Sequence, residues 1–201
     1  MIRAAALVSG DGALLQTVLD SMYFGEIPNF ELTAVICTES DAYALRRARN
    51  SGVEAFVVEP SLFPTKLSYS MAISNKLRDM DIVILAGYNM PLGVISTQFR
   101  KRIIGVYPSL IPAFVNCDDA PERAALERGC RVTGATAFFA DIDGNIGAII
   151  AQQAVDILPN DTPESLSRRI LEDAEWKLLP QAISLYCQGR LEIHGDRVII
   201  K

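Results

Sequence analysis

The stretch IIGVYPSLIPAF, residues 103–114, opens with a β-branched run, breaks off at Tyr107-Pro108-Ser109 and meets a second proline at Pro112. Continuous runs of this kind mark parallel strands buried on both faces, and in open α/β sheets ligands bind where such strands end. The stretch therefore reads as a buried strand emptying into a cleft. Gly105 and Tyr107 stand at its mouth, with Pro108 just beyond them.

Outward from this strand the chain alternates. Ile82 to Ala86 is a continuous apolar run that suits a central strand, fed by a helix from about Thr65 to Met80. Upstream, Ile2 to Val8 and Leu32 to Cys37 read as strands, and so does Val53 to Val58. Leu14, Leu15, Val18, Leu19 and Met22 recur at helical spacing, and Asp41 is expected to cap a helix that Gly52 ends. Four strand-helix steps in under 90 residues argue for an open parallel sheet with right-handed crossovers. Downstream, Ala120 to Arg128 is a short helix. Val132 to Ala140 and Ala148 to Leu158 are long β-type runs separated by DIDGNIG, expected as an antiparallel or mixed pair. Asp161-Thr162-Pro163-Glu164 starts a long helix, which Pro180 should bend or interrupt. GRLEIHGDRVIIK reads as a hairpin around His194-Gly195-Asp196. The fold class is thus α/β, a mostly parallel twisted sheet flanked by helices, ending in a long helix and a hairpin. No repeat or low-complexity linker divides the chain, so residues 1–201 read as one domain, with a first half of about 1–100 and a second, 101–201, completing the cleft.

Composition narrows the function. The 201 residues are half hydrophobic and carry 19 basic against 24 acidic side chains, a net charge of −5. With no same-sign block, nothing suggests a nucleic-acid or anionic-membrane surface. The apolar run at the N-terminus is too short for a secretory signal and is better read as a strand; no stretch approaches the roughly 18 residues that span a bilayer. Cys37, Cys117, Cys130 and Cys187 form no C-x-x-C pair, so free thiols in a reducing cytoplasm are expected.

The familiar catalytic patterns mostly fail. Gly10-Asp11-Gly12 after the first strand begins a dinucleotide fingerprint, but Leu15 stands where its third glycine belongs, and Asp11 would oppose a phosphate. Asp141, Asp143 and Asn145 alternate like calcium ligands, yet Ile146 and Gln152 occupy the positions that need glycine and glutamate. The one histidine, His194, falls in the hairpin turn. Ser109 lacks the glycines of a nucleophile elbow, and Cys117 needs a neighbouring cation to be reactive. No cluster suggests a metal site.

The order of motifs nevertheless has a likeness. SGDGALLQ, DAYALRRARNSGV, ILAGYNMPL, YPSLIPAF, VTGATAFFADIDGNIGAIIAQQAV, DTPESLSRRIL and GRLEI-x-x-x-RV together resemble the glycinamide ribonucleotide formyltransferases of purine synthesis, almost from end to end. The resemblance implies a Rossmann-like formyltransferase domain that holds a phosphoribosyl substrate beside 10-formyltetrahydrofolate. Gly10, Asp11, Gly12, Ala13, Leu14, Pro108 and Glu175 then fall on the substrate side. Tyr88, Asn89, Met90, Leu92, Asp141, Ile142 and Asp143 fall on the folate side.

That family transfers the formyl group with an asparagine and a histidine from N-x-H-P-S-L and an aspartate from D-x-G-P. Here Gly105, Tyr107 and Asn145 occupy those positions. Glycine offers no side-chain donor, a phenol ordinarily titrates near pH 10, and an amide carries no proton to exchange. Losing an oxyanion donor costs about 10² to 10³ in rate, and losing acid-base help about 10² to 10⁴. Ala13 and Leu14 replace the polar pair of G-x-G-S-N-L-Q, Pro91 the arginine of G-Y/F-M-R-I-L, and Val115 to Ala120 carry neither histidine of the segment after the cleft. Of E-H-x-x-Y-P, Glu175 and Pro180 remain.

Two readings result. One is a non-catalytic or repurposed member that binds a small molecule, nucleotide-like or folate-like, or a protein partner such as a second copy in a homodimer. The other is an enzyme still, a formyltransferase working through Tyr107 with Asp141 or Asp143, or a catalyst of another reaction in the same cleft. Tyr88, Tyr107, Phe114 and Trp176 are expected to converge there and make it aromatic.

Overall fold

The apolar run near the N-terminus forms β1 (Ile2–Val8), whose residues from Ala4 to Val8 are fully shielded from solvent. Ala4, Ala6 and Val8 enter one core and Ala5 and Leu7 another, as the two-residue period of a strand requires. The structure, a computed structural model, describes residues 1–115 and 120–201. After β1 come α1 (Ala13–Tyr23), β2 (Phe30–Cys37), α2 (Tyr43–Asn50), β3 (Glu54–Val57), α3 (Lys66–Lys76), β4 (Ile82–Ala86), α4 (Val94–Gln98) and β5 (Ile103–Tyr107). The second half contributes α5 (Pro121–Glu127), β6 (Val132–Ala140), β7 (Ile146–Asp156), α6 (Pro163–Ile170), α7 (Trp176–Cys187), β8 (Leu191–His194) and β9 (Arg197–Ile200).

All these strands join one sheet in the order β3-β2-β1-β4-β5-β6-β7-β9-β8. Strand β1 runs parallel to both β2 and β4, and β4 parallel to β5. Strands β6 and β7 extend the sheet antiparallel, as their spacing predicts. The chain leaves β1 toward β3 on one side and returns to β4 on the other, which puts a topological switch point between the C-terminal ends of β1 and β4. Residues of α1, α2, α6 and α7 fill the core on one face. Tyr69 and Ile73 of α3 and Ile95 of α4 fill the core on the other.

Three local expectations need correction. Asp41 is exposed and does not cap α2; Ala42 holds the N-cap position without a side-chain bond, so the carboxylate stands one residue too early to reach the first free amides. Strand β7 begins at Ile146 and ends at Asp156, because pairing with Ala140 draws the first residues after the turn into the ladder. The long C-terminal helix is interrupted before Pro180, by a π-helical segment Leu171–Glu175, while Pro180 lies buried inside α7. Such a segment adds one residue to a turn and rotates the side chains beyond it to new directions. The expected loop segment around Cys117 falls outside the described residues. Cys37 and Cys187 are buried free thiols, and burial pushes the Cys187 thiol up to about 11.

The two best-capped helices carry the same device. Thr65 and Thr162 each accept a hydrogen bond from the N3 amide while the N3 serine, Ser68 or Ser165, returns one. Asp161, next to the second cap, instead accepts two hydrogen bonds from Arg169 at 2.5 and 2.6 Å. That guanidinium holds the Asp161 carboxyl well below the usual carboxylate range. Thr162→Ala should lower stability by about 1 kcal/mol, read as a shift in urea midpoint with an unchanged m-value.

Candidate functional site

At the switch point the chain turns sharply from β1 into α1. Gly10 and Gly12 adopt left-handed conformations with φ of 76° and 75°. A Cβ on Gly12 would lie 2.8 Å from Cβ of Ala44, so the glycine permits the close approach of α1 and α2 as well as the turn. The Asp11 carboxylate accepts the Ala13 amide at 3.0 Å, and the Arg47 guanidinium donates to the Asp11 carbonyl at 3.0 Å. The positive end of α1 is thus already met by a carboxylate from its own turn. A phosphate at this terminus would have to meet the same carboxylate.

Across the turn lies a cavity of about 250 Å³. Ser9, Asp11, Gly12, Ala13 and Leu14 form one wall and Ala86 and Gly87, at the end of β4, another. Ser167, Leu171 and Glu175 close it from the far side. The π-helical segment ends on Glu175, so the wide turn sets the depth at which that side chain meets the cavity. Glu175 is 8% exposed and has no hydrogen-bond partner among the described residues. Burial, with a smaller contribution from Glu122 of α5, raises its pKa from the ordinary 4.5 to about 7. Among the predicted substrate-side residues, the structure brings Asp11 to Leu14 together with Glu175, while Gly10 shapes the turn without lining the cavity. Pro108 lies on the loop after β5 and does not line this cavity.

The positions of the expected catalytic trio look different. Gly105 is buried in β5 opposite Phe138 of β6. A Cβ there would lie 3.0 Å from Cζ of Phe138 and 3.3 Å from the Leu85 side chain. A side chain at position 105 would therefore have to push the tip of the Phe138 ring aside by a few tenths of an ångström. Tyr107 donates its hydroxyl to the Phe114 carbonyl at 3.0 Å. The loop after it is tied down by Thr136, which donates to the Ser109 carbonyl at 2.6 Å and accepts the Ile111 amide at 3.1 Å. Asn145 is exposed at the β6–β7 turn, where its amide and that of Asp143 donate to one oxygen of Asp141 at 2.8 and 2.9 Å. This is the acidic turn that the spacing of DIDGNIG suggests.

The expected folate-side residues divide. Leu92 is 3% exposed, and a Cβ on Gly144 would lie 3.2 Å from its Cβ, so the 141–145 turn presses directly on it. The Ser96 hydroxyl donates to the Ile142 carbonyl at 2.7 Å, fastening the same turn to α4. Asn89 accepts from Ser9 at 2.9 Å and so belongs to the switch-point side. Tyr88 donates to Tyr69 at 3.2 Å, and Met90 lines a separate small cavity with Phe63 and Tyr69. The four aromatic rings do not converge. Tyr107 and Phe114 are joined by their hydrogen bond, but Trp176 faces a groove beside the end of α1, with Ser21 and Glu26. Successive helical residues point about 100° apart, so Glu175 and Trp176 serve different surfaces.

No sequence motif singles out Ser167 or Leu171, yet with Glu175 they fall at i, i+4 and i+8, a helical stripe that spacing alone reveals. Phe138 escapes a sequence reading because nothing local to it signals that it faces a glycine across the ladder.

Known proteins carry the same architecture. The formyl transferase family matches residues 2–183. The chain is a member of that family, of the phosphoribosylglycinamide formyltransferase kind. The phosphoribosylglycinamide formyltransferase of Haemophilus influenzae is 33% identical over 98% of this chain and 92% of its own. The human trifunctional purine biosynthetic protein adenosine-3 is 33% identical over 95% of this chain, which spans 19% of that longer protein. In three dimensions, a glycinamide ribonucleotide transformylase from Symbiobacterium toebii superposes with a TM-score of 0.94 at 41% identity, covering 100% of this chain and 94% of its own. Among the described residues of this family member, no helix is long and apolar enough to cross a membrane.

The geometry sets two expected outcomes. Gly105→Asn should cost about 1 to 3 kcal/mol through overpacking, and in a Phe138→Ala background the added cost should shrink, as a double-mutant cycle of urea unfolding would record. Glu175 holds its proton more tightly folded than unfolded, so between pH 4.5 and about 7 rising pH removes stability, on the order of 3 kcal/mol in total. Glu175→Gln should therefore be more stable than the parent at pH 8 and lose that advantage near pH 4.5. Asp11 and Glu122, the other carboxylates at this site, remain in both proteins.

Proposed function

We propose that this member of the formyl transferase family does not formylate glycinamide ribonucleotide and keeps its scaffold to bind a small molecule at the switch point of the sheet. The observation that carries the reading is the Phe138 ring against Gly105. At the position where the family motif has its asparagine, this chain has no side chain, and the tip of the Phe138 ring packs close against the site. The Tyr107 hydroxyl at the histidine position is engaged with the Phe114 carbonyl, and Asn145 at the aspartate position takes part in the turn through its backbone. An oxyanion donor and an acid-base group are each worth about 10² or more in rate. Their losses do not multiply, because groups that act together are not additive.

The ligand sides agree. Leu92 and the 141–145 turn touch directly, so a 10-formyltetrahydrofolate placed between them would have to part that contact. Asp11 takes the Ala13 amide that a phosphate at the α1 terminus would need, and Glu175 adds a second carboxylate to the same cavity.

Formyl transfer from 10-formyltetrahydrofolate to glycinamide ribonucleotide, assayed beside the Haemophilus influenzae relative, tests this. The expected rate is below about one hundredth of that relative's, with calorimetry detecting neither compound at micromolar affinity. Turnover like the relative's, abolished by Tyr107→Phe, would establish the enzymatic reading instead.

A further inference from the structure

We propose that the switch-point cavity takes a small ligand through a primary ammonium group seated on Glu175. The assignment rests on the reading that this cavity, and not formyl transfer, is the functional remnant of the scaffold.

Three observations lead to it. Glu175 is more than nine-tenths buried, faces the cavity and has no hydrogen-bond partner among the described residues. Among the described residues the fully enclosed polar side-chain atom without a partner is Thr133 Oγ1, so the Glu175 oxygens reach the solvent of the cavity, where a ligand can replace water on them. Among the described residues no lysine or arginine lines the cavity; the Arg47 guanidinium is bonded to the Asp11 carbonyl behind its wall, while the Asp11 and Glu175 side chains are its lining carboxylates and Glu122 adds to the negative potential at Glu175. The fixed field therefore favours a cation and disfavours a phosphate dianion.

The α1 terminus does not reverse that preference. Its partial positive charge would repel an ammonium, but Asp11 caps it at 3.0 Å. A divalent metal is a poorer match, because hard cations want six or more oxygen ligands and, among the described residues, no group of three or more His, Cys, Asp or Glu side chains could hold one. Ser167 supplies a neutral hydroxyl beside the carboxylates, which suits a ligand that carries a hydroxyl group next to its amine, while the Ser9 hydroxyl is engaged with Asn89 and Thr38. The volume of about 250 Å³ limits the ligand to something smaller than a drug-sized molecule.

The full chain, labelled with ¹³C at alanine and leucine methyls, offers reporters in Ala13, Leu14 and Leu171, all of which line the cavity. Ethanolamine, ethylene glycol and inorganic phosphate are the probes. The titrations run at pH 8.5, where Glu175 is ionised even with its pKa near 7. Ethanolamine should shift the three methyls saturably, ethylene glycol should bind at least about tenfold more weakly, and phosphate should leave them in place. Glu175→Gln should weaken ethanolamine about tenfold or more, and Glu122→Gln by a smaller factor, since it acts only through the field.

The proposal is overturned if ethanolamine gives no saturable shift, if phosphate does, or if Glu175→Gln leaves the ethanolamine affinity unchanged. Formylation of glycinamide ribonucleotide, measured on the same sample, separates the two failures. With no formylation and no ethanolamine binding, only the ammonium assignment falls. Turnover on glycinamide ribonucleotide removes the reading of function itself.

Discussion

Strands β1 and β4 are buried over nearly their whole length, and that constraint shapes everything a ligand can meet. A strand covered on both faces exposes no side chain along its run, and its backbone groups are consumed by the ladder. Only its end is free. Because β1 and β4 lie side by side and their onward connections part in opposite directions, their ends leave a gap that neither crossover covers. The cavity floored by the Ser9 to Gly12 turn and Gly87 is that gap. Its existence comes from strand order, and its chemistry from the groups that the turn and the π-helical segment place around it.

The fold was therefore the more legible part. Strand and helix periods are local properties, so β4, β6 and the C-terminal hairpin can be placed from their own residues, and the doubly wound order emerges from their alternation. The errors fall where a local signal competes with a neighbour. Asp41 has the chemistry of a cap but sits one residue early, and Pro180 has the chemistry of a break, yet the helix widens at Leu171–Glu175 before reaching it. The site is only half legible. Motif order leads to Gly10 to Leu14 and to Glu175. The closure of Gly105 by Phe138 and of Leu92 by the 141–145 turn arises between segments some 30 to 50 positions apart, which no spacing rule reports.

The scaffold and the site also answer to different requirements. A 0.94 TM-score beside 41% identity needs only that core positions stay apolar and of suitable volume, a condition many sequences meet. A formyl-transfer site needs particular donors held in place while water is excluded, and it tolerates little change. At Gly105 the Phe138 ring packs close against the strand and adds apolar burial to the second core, so this stretch of β5 serves packing.

Glu175 presents the opposite case, a titrating group held in a recess. Stability alone gives no reason to keep a carboxylate that is 8% exposed, unpaired, and raised to about pH 7 by burial. Glutamine has nearly the same shape without the desolvation cost, so the charged form is the expensive choice at every pH above neutrality. With Gly105, Tyr107 and Asn145 at the positions of the family's trio, the sheet forms without a carboxylate or an imidazole at any of the three. A residue that remains ionisable under those conditions is better explained by what it contacts when the cavity is filled than by what surrounds it when empty. If a ligand is seated on Glu175 as proposed, binding centres on the ends of β1 and β4 and not on the strand end at Tyr107 where a sequence motif first directs the eye.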